Sequence, residues 1–242
     1  MTKTALITGT SRPRGLGFAV AQLLAEQGYH VVLTARDVTQ AEPLAAQLRD
    51  AGYAATALRL DLTTPADMAA AAEHLKQSFG QLDVLINNAS APVDFTVLSA
   101  LEADIGAVRS ALDIDVLGPW QLVQTMLPLL LAAPAARIVN VSSRSALQIA
   151  TGLDLKASLR APAYSFAKDV LNVLTEVLAH ALADTPILVN AVDPGETATH
   201  PERGDDADDR SAAESARGVV WAATLPAGGP SGAFFRDGEP LT

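Results

Sequence analysis

Short, continuously apolar runs alternate along the chain with longer stretches in which apolar residues recur at helical spacing. A run without polar alternation is typical of a strand buried on both faces, and the longer spacing is typical of an amphipathic helix. The runs predict strands over residues 4–8, 30–35, 55–60, 82–87, 137–142, 187–192 and 233–235. The longer stretches predict helices over residues 15–27, 38–51, 65–79, 102–133, 163–183 and 211–224, with Thr63 or Thr64 as N-cap of the third and Pro128 ending or kinking the fourth.

The order of these elements predicts the fold class. Strands that alternate with helices form a parallel sheet covered on both faces, and right-handed crossovers make it doubly wound, as in a Rossmann-type α/β domain. No repeat, linker or change of composition divides the chain, so we expect residues 1–242 to form a single domain. The most polar stretch, residues 200–210, is interpreted as a solvated loop. A lid over residues 196–217 is the alternative, because this loop follows the carboxyl end of a strand.

Composition and charge exclude several classes of function. Hydrophobic residues make up 49% and charged residues 18% of the 242 residues, which excludes a mainly disordered chain. The absence of cysteine excludes disulfides, thiolate catalysis and cysteine–zinc sites, and the four histidines lack metal-ligand spacing. A net charge of −10 argues against nucleic-acid and anionic-membrane partners. Neither a signal peptide nor an apolar run of the ~20 residues that span a membrane is visible, so we expect a cytoplasmic protein without a membrane partner.

A glycine-rich turn joins the first predicted strand to the first predicted helix. Glycines allow a tight turn and let the backbone approach a pyrophosphate, whose negative charge is favoured at a helix N-terminus. No Gly-Lys-Ser/Thr follows, which argues against a nucleoside-triphosphate loop. We interpret the turn as dinucleotide-binding, with a plain packing turn as the alternative. Its candidate cofactor contacts are Gly9, Ser11, Arg12, Arg14, Gly15, Leu16 and Gly17.

The end of the second predicted strand distinguishes the two nicotinamide dinucleotides. A carboxylate there accepts hydrogen bonds from the ribose 2′-hydroxyl of NAD, whereas an arginine suits the 2′-phosphate of NADP. This strand ends at Ala35 and Arg36, and Arg12 and Arg14 add positive charge in the same neighbourhood. NADP(H) is therefore the predicted cofactor. A solvated Arg36 is the alternative interpretation, and the following Asp37 opposes the prediction.

Tyr164 and Lys168 lie four residues apart at the start of a predicted helix and therefore share one of its faces. A phenol is a weak acid at neutral pH, but an adjacent ammonium group stabilises the phenolate and makes the phenol a usable proton donor. Ser143 follows a predicted strand of the same sheet, where ligands gather in such folds, and its hydroxyl could hold a carbonyl oxygen. Taken alone, Ser143 is more simply interpreted as a helix cap or turn residue.

Further motifs occur in order with these residues along nearly the whole chain. They are the turn ending Gly15-Leu16-Gly17, then Asp61-Leu62-Thr63, Asn87-Asn88-Ala89, Ser142-Ser143, Tyr164-Ser165-Phe166-Ala167-Lys168 and Val189-Asn190-Ala191-Val192-Asp193-Pro194-Gly195. In this combination the sequence resembles the short-chain dehydrogenase/reductase family. Residues 194–199 and 232–238 are most similar to its carbonyl-reductase-like branch.

The resemblance implies a role for each matching position. Tyr164 would donate the proton, Lys168 would bind the nicotinamide ribose and stabilise the phenolate, and Ser143 would orient the carbonyl group. The resemblance also implies cofactor contacts. Asp61 and Leu62 would contact the adenine, and Asn88 and Ala89 would line the adenosine side. The residues around the nicotinamide would be Pro194, Gly195, Thr197 and Thr199.

Four departures from the family pattern accompany the resemblance. Five residues separate Gly9 from Gly15 where the family usually has three, and we place the extra pair within residues 12–14. Ser90 replaces the glycine usual after Asn-Asn-Ala, and the segment around residues 151–160 is longer than usual. Asp115 stands where the family usually has an asparagine that holds a water in a proton relay to Lys168. An aspartate also accepts from water, but it could pair with Lys168 instead.

Together, the residues and the resemblance predict an oxidoreductase that uses NADPH to reduce a ketone or aldehyde, a small-molecule carbonyl substrate. We expect its pocket to draw on residues 144–149, residues 90–95 and the loop after Gly195. Two alternatives remain open: a cofactor-binding sensor or scaffold without turnover, and a nonredox enzyme on the same fold. Apolar helix faces over residues 112–123 and 170–182 predict a homo-oligomer, either a dimer or a tetramer.

Overall fold

One eight-stranded sheet runs through the part of the chain that the structure, a computed structural model, describes: residues 2–91, 94–150, 159–199 and 209–241. Its strands are β1 (Thr4–Ile7), β2 (His30–Ala35), β3 (Ala55–Arg59), β4 (Val84–Asn87), β5 (Arg137–Val141), β6 (Leu188–Val192), β7 (Phe234–Arg236) and β8 (Glu239–Pro240). Their order across the sheet is β3-β2-β1-β4-β5-β6-β7-β8. The first seven strands are parallel, which confirms the predicted α/β doubly wound sheet.

Strand β8 is absent from the sequence prediction and pairs antiparallel with β7. The two strands are joined by Asp237 and Gly238, which have φ values of 53° and 84°. An Asp-Gly pair with positive φ at both residues is a strong hairpin signal. The signal was present in the sequence, but two strand residues are too few to form a recognisable apolar run.

Eight α-helices surround the sheet within the described ranges. They are α1 (Leu16–Glu26), α2 (Val38–Asp50), α3 (Pro65–Ser78), α4 (Ile105–Leu112), α5 (Gly118–Ala132), α6 (Leu147–Ala150), α7 (Pro162–Ala181) and α8 (Ala212–Ala223). Asp37 and Asp104 cap α2 and α4 through their side chains, and Ser211 forms a capping box with Glu214 at α8. Thr64 occupies the N-cap position of α3 as predicted, but its side chain makes no capping hydrogen bond.

The predicted helix over residues 102–133 is in fact two α-helices joined by a π-helical segment, Asp113–Leu117. Such π segments occur frequently at functional sites, and this one buries Asp115. Pro128 lies inside α5, so of the two predicted alternatives the end of the helix is wrong and the kink stays a prediction. The short 3-10 turn Arg144–Ala146 and the helix α6 that follows it were not predicted either.

The continuous helical region Ile105–Ala132 is long and apolar enough, by length and composition alone, to cross a membrane. Half of its most apolar window is buried, and its side chains Leu122, Met126 and Leu130 belong to the core beneath the sheet. A core helix of a folded domain meets the same criteria. The region is therefore weak evidence for a membrane span.

Apolar side chains cover both faces of the sheet. One cluster joins the sheet to α1, α2 and α8, and a second joins it to α3, α5 and α7. Strand β1 lies between β2 and β4, so the winding of the sheet reverses beside it. Ligand sites of doubly wound sheets form at the carboxyl ends of the strands beside such a reversal. Most of the predicted site residues follow β1, β2, β3, β4, β5 or β6 and therefore share this edge, whereas Asp115 lies in the π segment and Tyr164 and Lys168 lie at the start of α7.

Candidate active site

The glycine turn after β1 packs directly against the residues that follow β4. Gly9 has a φ of +71°, and a Cβ atom at this position would lie 2.7 Å from Ala89 Cα. A Cβ atom on Gly17 would lie 2.6 Å from Asn88 Nδ2. Both positions therefore require glycine for close approach, and Gly9 also requires it for its backbone conformation.

The two additional residues of this turn are accommodated as a tight turn. The Gly15 amide donates to the Arg12 carbonyl oxygen at 3.0 Å, with Pro13 at the position that a β-turn favours for proline. This turn lies where the sequence analysis places the extra pair, and that placement stays a prediction. Gly15 is also the N-cap of α1 and provides no side-chain acceptor, so the helix N-terminus keeps amide groups for an anion.

Thr8 ties the ends of β1 and β4 together. Its Oγ1 accepts hydrogen bonds from the Asn88 amide at 2.9 Å and from the Ala89 amide at 3.0 Å. Asn88 Nδ2 in turn donates to the Thr8 carbonyl oxygen at 2.8 Å. Asn88 and Ala89 thus line the glycine turn, and their contact with the adenosine side of a cofactor stays a prediction. Thr8 was not among the predicted site residues, although its position at a strand end beside the glycine turn was a usable signal.

Arg36 is exposed immediately after β2, where the sequence predicts the adenosine ribose of the cofactor. The adjacent Asp37 carboxylate accepts from the Thr39 side chain at 2.7 Å and from the Thr39 amide at 3.0 Å. These hydrogen bonds lower the pKa of Asp37, whose charge faces the N-terminus of α2. Asp37 therefore serves as a helix cap, with its negative charge at the N-terminus of α2.

Asp61 and Leu62 follow β3 on the same side of the sheet. Asp61 Oδ1 accepts from the Thr63 amide at 2.9 Å and from the Thr63 hydroxyl at 2.7 Å. Burial acts to raise the pKa of Asp61, but these hydrogen bonds and the charges of Arg36 and Arg59 outweigh it and lower the pKa. Leu62 is buried, and a Cβ atom on Gly118 would lie 2.7 Å from Leu62 Cβ. Leu62 therefore packs against the start of α5.

Tyr164 and Lys168 occupy the first two turns of α7 and face each other as their spacing predicts. Lys168 Nζ lies 5.4 Å from the centre of the Tyr164 ring and donates to the Val141 carbonyl oxygen at 2.9 Å. The Lys168 side chain is only 3% exposed. A buried ammonium group is thus fixed beside the phenol, which is the arrangement that supports proton donation.

Asp115 also lies beside this ammonium group, with Oδ1 3.5 Å from Lys168 Nζ. Its carboxylate is fully buried, and neither oxygen has a hydrogen bond of good geometry to any residue in the described ranges. Burial raises the pKa of Asp115 and outweighs the opposing influence of Lys168, the Ser90 hydroxyl and the Ala91 amide. Asp115 thus forms a buried ion pair with Lys168, which is the alternative that the sequence offered to holding a water. The water relay stays a prediction.

Ser90 and Asp115 are two of the departures from the family pattern, and they lie beside each other. The Ser90 hydroxyl is one of the groups that favour the charged form of Asp115. A glycine at this position would lack that hydroxyl. The two departures are therefore coupled in space, a relation that their separation in the sequence conceals.

Ser143 lies between β5 and the 3-10 turn that precedes α6. Its Oγ accepts from the Ser145 amide at 3.1 Å, so it caps this turn. The neighbouring Ser142 hydroxyl donates to the Lys168 carbonyl oxygen at 3.4 Å and links this strand end to α7. The interpretation of Ser143 as a capping residue is confirmed. Its role toward a carbonyl oxygen stays a prediction, which the capping bond leaves open because the hydroxyl can still donate.

The segment after β6 carries the residues predicted around the nicotinamide. Gly195, which follows Pro194, has a φ of +82°, and its amide donates to Asp193 Oδ1 at 3.0 Å. Thr197 Oγ1 donates to the Gly195 carbonyl oxygen at 2.9 Å, and the Thr199 amide donates to the Thr197 carbonyl oxygen at 2.8 Å. These bonds hold the segment close to the end of β6.

Both ends of the predicted lid are anchored. Thr197 pairs with Arg210 in a single β-bridge, and the Arg210 guanidinium binds both carboxylate oxygens of Asp237 at 2.8 and 2.7 Å.

Residues 200–208 of the lid lie outside the described residues. The same holds for residues 151–158 of the longer segment before Tyr164 and for residues 92 and 93 of the predicted substrate pocket.

Comparison with known proteins identifies the family. A model of the short chain dehydrogenase family matches residues 3–209. The chain belongs to the short-chain dehydrogenase/reductase family. This family assignment makes it a member of a class of oxidoreductases and agrees with the motifs that the sequence carries.

Similar proteins include reductases and dehydrogenases of small molecules. The cis-4-hydroxycyclohexanecarboxylate dehydrogenase of Sinomonas cyclohexanicum is 36% identical over 194 residues, which cover 80% of this chain and 72% of that protein. Salutaridine reductase from Papaver somniferum has a solved structure with a TM-score of 0.80 at 26% identity, covering 97% of this chain and 99% of that chain. L-sorbose reductase from Gluconobacter frateurii, solved with NADPH and L-sorbose, has a TM-score of 0.83 at 25% identity, covering 99% of this chain and 97% of that chain.

Within this short-chain dehydrogenase/reductase, the predicted residues form two neighbouring groups. The first group, around the glycine turn, fits the phosphates of a dinucleotide because α1 begins without a side-chain cap and its first amides are available to an anion. The close packing of Gly9 on Ala89 and of Gly17 on Asn88 is what the alternative, a plain packing turn, also requires. The second group contains Tyr164, Lys168 and Asp115, with Ser143 on the adjacent strand end. Among the described residues, no group of three or more His, Cys, Asp or Glu side chains is placed to hold a metal ion.

Proposed function

We propose that this chain reduces a ketone or aldehyde to an alcohol with NADPH. The observation that carries the proposal is the buried Lys168 ammonium group, fixed 5.4 Å from the Tyr164 ring by the Val141 carbonyl oxygen. A structural lysine gains little from such burial, whereas a proton-donating phenol gains a neighbouring cation that stabilises its conjugate base.

Each proposed catalytic residue has a separate role in the reaction. When bound, the cofactor supplies the hydride that the carbonyl carbon accepts. The Ser143 hydroxyl donates a hydrogen bond to the carbonyl oxygen and orients it. The Tyr164 hydroxyl gives its proton to that oxygen as negative charge develops there, and the Lys168 ammonium group stabilises the phenolate that remains. Asp115 accepts a hydrogen bond from the water that returns a proton toward Lys168.

NADPH is the proposed cofactor because Arg36 stands exposed where a 2′-phosphate would lie and Asp37 is engaged as a helix cap. The NADPH bound to the similar L-sorbose reductase supports this assignment. The residues proposed to hold the cofactor are Gly9, Ser11, Arg12, Arg14, Gly15, Leu16, Gly17, Arg36, Asp61, Leu62, Asn88, Ala89, Tyr164, Lys168, Pro194, Gly195, Thr197 and Thr199.

Calorimetric titration is expected to show that NADPH binds at least tenfold more tightly than NADH, a difference of about 1.4 kcal/mol. Arg36→Ala should remove most of this preference, because the 2′-phosphate loses its guanidinium partner. Arg109→Ala, which removes an exposed arginine from α4, is the matched control and should leave the preference unchanged. Equal affinities for the two cofactors in the unaltered protein would contradict the role of Arg36.

The substrate is proposed to bind among residues 144–149, the described part of residues 90–95, and the lid over residues 196–217. A panel of ketones and aldehydes tests the function through loss of NADPH absorbance, with NADH run in parallel. At least one carbonyl compound should be reduced, with NADPH as the better cofactor. Firm NADPH binding without turnover across a broad panel would favour the sensor instead.

Asp115 is the observation that favours a sensor, because a charged residue there could hold Lys168 away from its role. If the enzyme is active, Asp115→Asn should remain active and lose activity at lower pH than the unaltered protein. A neutral amide no longer offsets the Lys168 charge, so the ammonium group stabilises the phenolate more and the proton donor is lost sooner as pH rises. A sensor predicts an inactive unaltered protein and turnover gained in Asp115→Asn. An alkaline limit of the pH–rate profile that is the same in Asp115→Asn and in the unaltered protein would contradict an electrostatic effect of Asp115 on Tyr164.

The stability of the same variant checks the burial of this carboxylate. Folding raises the pKa of Asp115 above its ordinary 3.8, so the folded chain binds this proton more tightly than the unfolded chain. The free energy of unfolding therefore falls as the pH rises from the pKa of Asp115 in the unfolded chain through its pKa in the folded chain. Asparagine lacks this proton, so the stability of Asp115→Asn relative to the unaltered protein should be greater at pH 8 than at pH 4. Urea unfolding of both proteins at pH 8 and at pH 4 measures this difference in the free energy of unfolding. A difference that is equal at the two pH values would contradict the raised pKa of Asp115.

Self-association is proposed on the exposed apolar side chains of two helices. Leu117 and Trp120 are exposed beside and within α5, and Phe166, Val173 and Val177 are exposed on α7. A second copy of the chain would remove these surfaces from water. Light scattering should report a dimer or tetramer, and a monomer at micromolar concentration would contradict the proposal.

A further inference from the structure

Helix α7, which carries Tyr164 and Lys168, begins without a local side-chain cap. Its N-cap residue is Ala161, with a φ of 52°, and Pro162 follows at the first helical position. The first free amides of the helix belong to Ala163 and Tyr164. They donate to Asp94 Oδ2 at 2.7 Å and to Asp94 Oδ1 at 3.2 Å, respectively. Asp94 is separated from these residues by 69 and 70 positions and acts as a remote cap.

Asp94 adopts a conformation that a non-glycine residue rarely takes. Its φ is 42°, in the left-handed region. Strained backbone of this kind persists where surrounding contacts determine it, and it concentrates at functional sites. Here the carboxylate gains two hydrogen bonds at a helix N-terminus, where negative charge is favoured. The strain therefore accompanies a specific interaction with the first turn of the proposed catalytic helix.

The residues after Asp94 add further contacts to the same helix start. The Ala161 amide donates to the Val97 carbonyl oxygen at 2.9 Å, and Arg160 Nε donates to the Phe95 carbonyl oxygen at 3.5 Å. The Phe95 ring lies 5.1 Å from the Tyr164 ring. The segment from Asp94 to Val97 thus holds both the backbone and the side chain of the first turn of α7.

Lys168 is supported separately, one turn further along α7. Its Nζ is held by the Val141 carbonyl oxygen and faces Asp115, and neither contact involves Asp94. The Ser142 hydroxyl binds the Lys168 carbonyl oxygen. Loss of the Asp94 carboxylate would therefore release the first turn, with Tyr164, while the second turn, with Lys168, stays in place.

We propose that Asp94 is a positioning residue that holds the first turn of α7 so that the Tyr164 hydroxyl is directed at the substrate oxygen. This inference rests on the proposed function, because it assumes that Tyr164 donates the proton. It assigns to the loop after β4 a task in catalysis, apart from cofactor contact at Asn88 and Ala89. The effect of removing Asp94 should consequently fall on kcat, since small errors in the placement of a reacting group are costly, and not on NADPH affinity.

Asp94→Ala and Asp94→Asn test the proposal with a carbonyl substrate from the panel. We expect kcat of Asp94→Ala to fall about tenfold or more, with the Kd of NADPH within about twofold of the unaltered value. Asp94→Asn keeps one acceptor oxygen for the helix amides and should recover part of kcat. Hydrogen exchange at the Ala163 and Tyr164 amides should be faster in Asp94→Ala. If Asp94→Ala does not fold, Asp94→Asn carries the test, with an intermediate loss of kcat expected.

Asp104→Ala is the matched control, because Asp104 caps α4 by accepting from the Gly106 amide at 2.9 Å. It should lower the melting temperature by a similar amount while leaving kcat unchanged. Unchanged kcat in a folded Asp94 variant, with NADPH binding intact, would overturn the positioning role and show a purely structural cap. Tyr164→Phe separates the two proposals. If that variant is inactive while Asp94→Ala is fully active, only the positioning role fails, whereas an active Tyr164→Phe defeats the proposed function itself.

Discussion

Tyr164→Phe should bind NADPH about as tightly as the unaltered protein and lose most of its turnover. The substitution removes one hydroxyl group and little packing volume, and general acid catalysis typically contributes about 10²–10⁴ in rate. Lys168 keeps its contacts with the Val141 carbonyl oxygen and Asp115, neither of which involves the phenol. Steady-state rates with one good carbonyl substrate and calorimetry with NADPH measure the two quantities separately.

Two variants serve as controls for this loss. Tyr53→Phe removes the same group from a partly buried tyrosine in the core cluster beside α1 and α2 and should leave turnover unchanged. Lys168→Ala should impair both cofactor binding and turnover, because this residue is proposed to act on the ribose and on the phenolate. Near-normal turnover in Tyr164→Phe would show that another group donates the proton.

Gly9→Ala is expected to destabilise the fold by about 2–5 kcal/mol and to weaken NADPH binding more than tenfold. A left-handed φ costs a non-glycine residue roughly 1–2 kcal/mol, and overpacking costs typically 1–3 kcal/mol more. The added methyl group would lie 2.7 Å from Ala89 Cα, which is backbone and cannot move aside as a flexible side chain would. Urea unfolding and calorimetric titration measure both effects.

Gly28→Ala is the matched control for Gly9→Ala. Gly28 also has a positive φ, of +84°, but nothing among the described residues lies within 4 Å of an added Cβ atom. It should show the conformational cost of roughly 1–2 kcal/mol without loss of NADPH affinity. Equal stability losses in the two variants, with unchanged NADPH binding in Gly9→Ala, would contradict the close approach of the glycine turn to the end of β4.

The sequence predicts the sheet well because buried parallel strands leave a strong local signal. The predicted strand over residues 30–35 agrees with β2, and most other element ends differ by one or two residues. The π segment could not be predicted, because residues 102–133 are apolar at helical spacing throughout and periodicity does not register a single wider turn. That wider turn matters for the site, since it carries the buried Asp115.

The site was predictable where a motif is local and unpredictable where a contact joins distant segments. The Tyr164–Lys168 pair follows from a spacing of four residues on one helix. The remote cap formed by Asp94 joins residues 69 and 70 positions apart, and no local pattern marks Asp94 as its acceptor. The contact between Ser90 and Asp115 is of the same kind, because each residue appears alone as a departure and only the folded chain joins them.

Transfer of deuterium from NADPH labelled at C4 of the nicotinamide tests the central claim most directly. With both labelled faces of the ring supplied in turn, one of them should place deuterium on the carbinol carbon of the product. One product molecule should form for each NADP⁺, and Tyr164→Phe should form almost none. An alcohol product without deuterium from either face, or labelled product formed equally fast by Tyr164→Phe, would contradict hydride transfer to a carbonyl group with Tyr164 as the proton donor.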